Sequence, residues 1–318
     1  MTAVTVLLAL LAALSNASAS VLQRRAAVQE PDQGGGAGAA LRRLTHLLRR
    51  PNWLAGTGLL ALSSVLQGGA LATGSLSLVQ PLLAAELLFT LVVGSVVFRR
   101  APDRRTWLAF AALAVGLALF LVAASPSAGR PTASPGSWLV GGSGALGAVV
   151  LLAVAARPTT GASRAALFGL ASAVSFATTA ALLKEAVGQL GRGPGAMFGH
   201  WALYATGAAG LVAFLLLQSA LGAGSLTASQ PALTLGDAVT SVILGWVLFD
   251  EVIQLGLRVI PEVLGIGLIG AGSIGLARAS DDGQEWDTHV RDHGDREGHG
   301  DRKRRRPHRA HRQDATPP

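Results

Sequence analysis

Nine stretches of this chain are almost wholly apolar: residues 3–23, 53–73, 75–98, 106–125, 137–156, 165–190, 199–221, 225–249 and 258–277. Each is about 20 residues or longer, the length an α-helix needs to cross the hydrocarbon core of a bilayer. The pattern predicts an all-α membrane protein with nine transmembrane helices. The first stretch contains Ala17-Ser18-Ala19, which resembles a signal-peptide cleavage site, but Arg24 and Arg25 come after the apolar core rather than before it. A retained helix is the expectation.

The polar residues between these stretches are unevenly shared. With the N-terminus outside, the loops 24–52, 99–105 and 157–164 and the tail hold 22 of the 26 Lys and Arg; Arg130, Lys184, Arg192 and Arg258 remain outside. The positive-inside rule then predicts N-out and C-in, which an odd number of spans requires. The expected location is the plasma membrane. In the loop 24–52, residues 41–50 (LRRLTHLLRR) set Leu41, Leu44, Leu47 and Leu48 on one helical face, with arginines largely elsewhere. Two readings stay open: a short helix on anionic lipid, or a solvated basic loop that sets topology. Residues 278–318 hold nine acids, ten bases and five histidines with almost no apolar residue. Such a tail cannot bury a core and is expected to be disordered and cytoplasmic. Its histidines lie among aspartates, but the spacing matches no defined metal site.

Composition narrows the function classes. Charged residues are 14% of the chain against 50% hydrophobic, and mean hydropathy is +0.46. The pI near 11.3 does not argue for nucleic acid, because the basic residues sit in loops and tail. There is no cysteine, which excludes disulfides and thiolate metal sites. No HExxH, phosphate loop or nucleophile–base arrangement points to an enzyme, and no cofactor is implied.

An internal repeat supplies the strongest functional signal. GSLSLVQP at 74–81 returns as GSLTASQP at 224–231. One residue further in register, Glu86 aligns with Asp237, Thr90 with Ser241, Gly94 with Gly245, Phe98 with Phe249 and Gly116 with Gly267. Upstream, ALSNASASVLQRRA at 13–26 matches AVSFATTAALLKEA at 173–186, and Trp53 and Trp201 open the second helix of each half. Helices one to four then correspond to six to nine, with residues 137–156 as the linker helix. Repeat one covers residues 1–125 and repeat two 165–277. Five spans separate equivalent helices, so the two four-helix repeats are inverted, an arrangement found in secondary transporters with midplane sites.

Glu86 and Asp237 each stand near the middle of an apolar run. A charge there costs about 2.5–3.5 kcal/mol on insertion scales and normally faces the bundle interior or a wet cavity. Acid, hydroxyl and glycine recur at i, i+4 and i+8 (Glu86, Thr90, Gly94; Asp237, Ser241, Gly245), one stripe of each helix. The pair suits cation binding or proton exchange; the alternative is two protonated acids bonded to neighbouring helices. Gln80-Pro81 and Gln230-Pro231 precede the acids by one to two turns. Each proline either breaks its helix where polar ligands are wanted or only kinks it. Asn16, Ser20 and Gln23 share a face of the first helix, and Ser175, Thr178 and Thr179 one of the sixth. Most of these read as packing groups; Asn16, whose amide is costly against lipid, is the exception. Glu262 is expected to pair with Arg258, and Lys184, Glu185 and His200 to be interfacial. Gly141-Gly142 and the glycines between 265 and 275 read as close helix packing.

Taken together, LQGGALATGSLSLVQPLLAAELLF and its repeat resemble the drug/metabolite transporter superfamily. The resemblance covers residues 1–277. EamA-type members have ten helices in two inverted halves; a chain with nine is similar to the branch that includes the NIPA-type magnesium transporters. The resemblance implies a central cavity walled by helices one, three, four, six, eight and nine. It implies alternating-access transport of a small metabolite or drug, by proton coupling or exchange, around Glu86, Asp237, Asn16, Gln80, Gln230, Thr90 and Ser241. The alternatives are a divalent cation such as Mg²⁺ as cargo, or a scaffold that transports nothing. Monomer and homodimer are both open.

Overall fold

The structure is a computed structural model that describes residues 2–28, 51–98, 103–123, 129–223, 226–251, 261, 263–276 and 278. The basic stretch 41–50, Arg258, Glu262 and the tail beyond residue 278 lie outside the described residues.

Every regular element among the described residues is helical. The long ones are α1 (Thr2–Val28), α2 (Pro51–Thr73), α3 (Leu76–Leu83), α4 (Ala85–Phe98), α5 (Arg104–Ala123), α6 (Pro135–Ala155) and α7 (Gly161–Gly188). A 3₁₀ turn (Gln189–Arg192) and the short α8 (Pro194–Phe198) lead into α9 (Trp201–Ala223) and α10 (Leu226–Phe249). The last described helix is α11, Val263–Leu276. Among the described residues, seven spans are long and apolar enough to cross a membrane: α1, α2, α3 with α4, α6, α7, α9 and α10. Their outward faces are apolar as well; Leu139 and Leu151 of α6 are 74% and 70% exposed. In water such faces would be unfavourable, and in lipid they are matched.

Local chemistry explains where several helices begin. Ser134 caps α6 by accepting from the Ser137 N–H at 3.1 Å, with Pro135 at the first position. Asp103 does the same for α5, accepting from the Thr106 N–H at 2.9 Å and from its hydroxyl. These bonds, the hydroxyl's first, hold the Asp103 carboxyl below the usual range. Its contribution to the cap is therefore present at neutral pH and is lost as pH falls through that lowered value.

The repeated GSL-x-x-x-QP motif folds differently in its two copies. In the first, the span stops at Ala84, whose N–H bonds the Pro81 carbonyl at 3.1 Å, and restarts at Ala85. Glu86 then lies in the first turn of α4 rather than mid-helix. In the second copy α10 runs unbroken through Pro231. One proline breaks its helix and the other does not.

Two helix groups with the same internal pairing make up the bundle. α1 packs on α2 and α4, and α7 packs on α9 and α10. Buried serines bridge each inner pair: the Ser63 hydroxyl donates to the Ala12 carbonyl, and the Ser172 hydroxyl to the Ala213 carbonyl, both at 2.9 Å. α10 also packs on α3, and α2 on α7, which joins the groups. One end of the bundle gathers the start of α1, the α2–α3 connection, residues 129–134 and the ends of α7 and α10. The contacts there include Thr5 Oγ1 with Thr73 Oγ1 (3.1 Å) and the Arg130 N–H to the Phe249 carbonyl (2.6 Å).

Glycines set the approach of α5 to α11. A Cβ added at Gly116 would lie 2.7 Å from the Ile269 nitrogen, and one at Gly272 2.6 Å from the Leu113 nitrogen. Backbone cannot step aside as a side-chain tip can. Gly116→Ala and Gly272→Ala should each lower stability by about 1–3 kcal/mol, the usual cost of overpacking. Gly267, which has open space at its Cβ position, should accept alanine with no loss. Thermal unfolding in detergent distinguishes the two classes. The expected close packing holds for Gly265, Gly272 and Gly275 against α5, and for Gly141 against Leu248 of α10, but not for Gly267.

Candidate functional site

Two sets of polar residues lie within the bundle, each drawn from distant segments of the chain. The first joins α1 to α4. Asn16 donates from Nδ2 to Glu86 Oε2 at 2.6 Å. α1 and α4 lie alongside one another, so an amide in the middle of one apolar helix meets the lone acid of the other. The break at Ala84 gives Glu86 a second partner in kind: it sits at the N-terminal end of α4, where the helix dipole favours an anion.

The second centre lies on α10 and α3. Asp237 Oδ1 and Ser241 Oγ are buried one turn apart on α10, and Gln80 Nε2 is buried on α3; none of these atoms makes a hydrogen bond among the described residues. Ser241 is fully buried and Gln80 is 6% exposed. A buried polar atom without a partner is costly, and here three fall on two helices that pack together. Of the remaining expected residues, Thr90 on α4 is half-buried, and Gln230 is half-buried with its carbonyl accepting from Thr234 Oγ1 at 3.0 Å. The face expected on α1 divides: Asn16 meets Glu86, Gln23 packs on Gly56 of α2, and Ser20 is exposed. On α7 the Thr178 and Thr179 hydroxyls return to the carbonyls of Val174 and Ser175, which is packing rather than ligand chemistry.

Lys184 and Glu185, near the end of α7, are both buried, at 2% and 3% exposure. Glu185 accepts from the Ala133 N–H at 2.7 Å and from Trp138 Nε1 at 3.3 Å, and Gln189 Nε2 donates to its Oε1 at 3.2 Å. It thereby ties residues 133–138 to α7. Lys184 Nζ donates to Glu251 Oε1 at 2.5 Å and to the Gly74 carbonyl at 3.3 Å, and it lies 4.7 Å from the Phe249 ring centroid. The Glu251 carboxylate also accepts from the Leu76 N–H at 2.6 Å, the Ser77 N–H at 3.0 Å and the Ser77 hydroxyl at 2.7 Å. It caps α3 at the GSL stretch of the first motif copy. His200 does sit at a helix start, half-buried beside Trp201.

Sequence reasoning passed over Glu251, which stands just past the last apolar residue of its segment and looks like a loop charge. A signal was available. At the repeat's offset of 151, Glu251 aligns with Arg100, a charge reversal at matched helix ends. Among the residues whose side chains are described, Lys184 is the one buried cation, and Glu251 neutralises it. Among the described residues Glu86 and Asp237 have no such counterion, so the interior they face suits a cation or a proton better than an anion.

The fold and these centres define a multi-helix protein of membrane-spanning character with acids inside its bundle. The chain belongs to the same family as the uncharacterized protein Cgl0250/cg0304 of Corynebacterium glutamicum, to which it is 30% identical over 257 residues, covering 79% of this chain and 86% of that one. No family model matches the chain, and no solved structure matches it.

Proposed function

We propose that the protein is a secondary transporter of the plasma membrane, with nine spans in two inverted repeats, that moves a small organic solute by alternating access. Proton coupling or exchange drives it, and Glu86 and Asp237 carry the exchanged charge. The observation behind this reading is the set of buried, unpartnered polar atoms of Gln80, Asp237 and Ser241 on the paired helices α3 and α10. Structural groups would be satisfied; groups that bind a passing ligand need not be. Asn16 holds Glu86 in place opposite them in the scheme, and Thr90 and Gln230 line the path.

Three further features support the reading. The helices of each half pair in the same way, as inverted repeats require. The first motif copy breaks its helix beside the acid, as transporters do at midplane sites. The connections expected outside meet at one end of the bundle, consistent with N-out, C-in spans. The resemblance to the drug/metabolite transporter superfamily belongs to the same proposal.

The test is flux through purified protein in liposomes, comparing the parent with Glu86→Gln/Asp237→Asn. Loss of proton-driven organic solute flux is the expected result. Loss confined to Mg²⁺ uptake would favour a divalent-cation transporter, for which one or two carboxylates suffice because Mg²⁺ keeps several waters. Unchanged flux of every solute and ion tested would sink the site and leave a membrane scaffold as the better reading.

A further inference from the structure

The Lys184–Glu251 pair joins three elements: the end of α7, the residue after α10 and the start of α3. We propose that it is a latch that closes one mouth of the protein and must open in each cycle. The inference rests on the alternating-access reading for its role, and on local geometry for its existence.

The geometry has four parts. First, Asp250 takes a left-handed conformation (φ 51°) that turns the chain after α10, so that the Glu251 N–H returns to the Gly245 carbonyl at 3.1 Å. The turn folds the Glu251 side chain back over the helix it has just left. Second, the seat is cut for it: a Cβ at Gly245 would collide with the Glu251 carboxylate. The acid–hydroxyl–glycine stripe of α10 therefore ends in a place reserved for a second acid. Third, that acid makes three hydrogen bonds with α3 and one with Lys184, and both side chains are 2% exposed. Fourth, Lys184 reaches across to the Gly74 carbonyl, closing the ring to the α2–α3 connection. From Gly245 to Asp237 is eight residues, about 12 Å of helix. The latch thus stands directly over the stripe of Asp237 and Ser241.

The two charges of the pair are not repeated in the sequence of the first half. In the repeat's register the matched positions are Arg24 for Lys184 and Arg100 for Glu251. Two arginines cannot form this pair. The lysine–glutamate charge pair therefore has no counterpart in the sequence of the first half. An outer ion pair, Arg130 with Asp250, also bridges this mouth, but both groups are at least half exposed and contribute little to closure.

The chain has no cysteine, so a single probe can be read cleanly. Ser241→Cys is placed in the full-length protein, in sealed membrane vesicles of each orientation, and its labelling by a membrane-impermeant maleimide is timed. Labelling from the side of residues 129–134 should be slow. Adding Glu251→Ala should speed it at least about tenfold from that side alone, because the closed population loses a set of charge-assisted hydrogen bonds. Where Glu251→Ala gives no folded protein, Lys184→Met/Glu251→Leu removes the latch without orphaning a charge, and the same increase is expected. An unchanged rate in folded protein, or an equal rise from both sides, overturns the latch. Labelling needs no transported solute. A one-sided rise, with no flux of any solute through the parent protein, leaves the latch standing and fails the transport reading; parent flux without the rise does the reverse.

Discussion

Lys184→Met alone should cost about 3–5 kcal/mol of stability, while Lys184→Met/Glu251→Gln should recover most of that loss. The asymmetry follows from burial. Both side chains are 2% exposed, and methionine removes the cation but leaves the Glu251 carboxylate buried against α10 and α3. That carboxylate keeps the Leu76 and Ser77 donors, yet it has lost the charge that balanced it. Glutamine in its place still accepts from those donors and carries no charge. A double-mutant cycle measured by thermal unfolding in detergent gives the coupling directly. Additive losses would mean that the two groups do not depend on each other. Arg130→Ala is the internal control: its partner Asp250 is 60% exposed, and the loss there should be within about 0.5 kcal/mol.

Asp237→Leu should make the protein more stable and inactive. The side chains have the same branched shape, so leucine fits the space with little strain. Asp237 Oδ1 is buried without a hydrogen-bond partner among the described residues, and leaving such a group unsatisfied costs about 1–3 kcal/mol. Replacement by an apolar isostere returns that cost. Solute flux in liposomes should fall by about a hundredfold or more, which corresponds to about 2.7 kcal/mol of lost function. A gain in stability with loss of flux marks a residue kept for function against the interest of the fold. If Asp237→Leu is destabilised instead, the acid is structural, and the proposed pathway loses its second carboxylate. Glu86→Leu should behave differently, because it also strands the Asn16 amide that now donates at 2.6 Å.

How far the sequence revealed these features depended on how local each signal was. The apolar segments could be placed to within a few residues because a helix in lipid needs about 20 apolar residues and little else. Residues 106–125, for instance, appear as α5 from Arg104 to Ala123. Asn16 and Glu86 stood out because an amide and an acid inside apolar helices must find partners, and they find each other. The break at Ala84 was not decidable from Gln-Pro, since Gln230-Pro231 carries the same dipeptide through an intact helix. There the neighbours decide: Gly169 and Gly236 bring α7 and α10 close enough that a Cβ at Gly169 would lie 2.8 Å from the Ser229 carbonyl oxygen. That Lys184 and Glu251 pair was not legible, for the opposite reason. They stand 67 residues apart at segment ends, where charge is ordinary, and only the packed bundle turns them into a buried pair.

The break at Ala84 also bears on the mechanics. It leaves α3 as a separate piece of eight residues, about 12 Å long, with the latch at one end and a hinge at the other. Releasing Glu251 would then free a short lever rather than a whole span, while α4 stays moored to α1 through Asn16 and Glu86. The first half would bend where the second, with its unbroken α10, must tilt as a rod. One helix group would then move as a flap and the other as a beam.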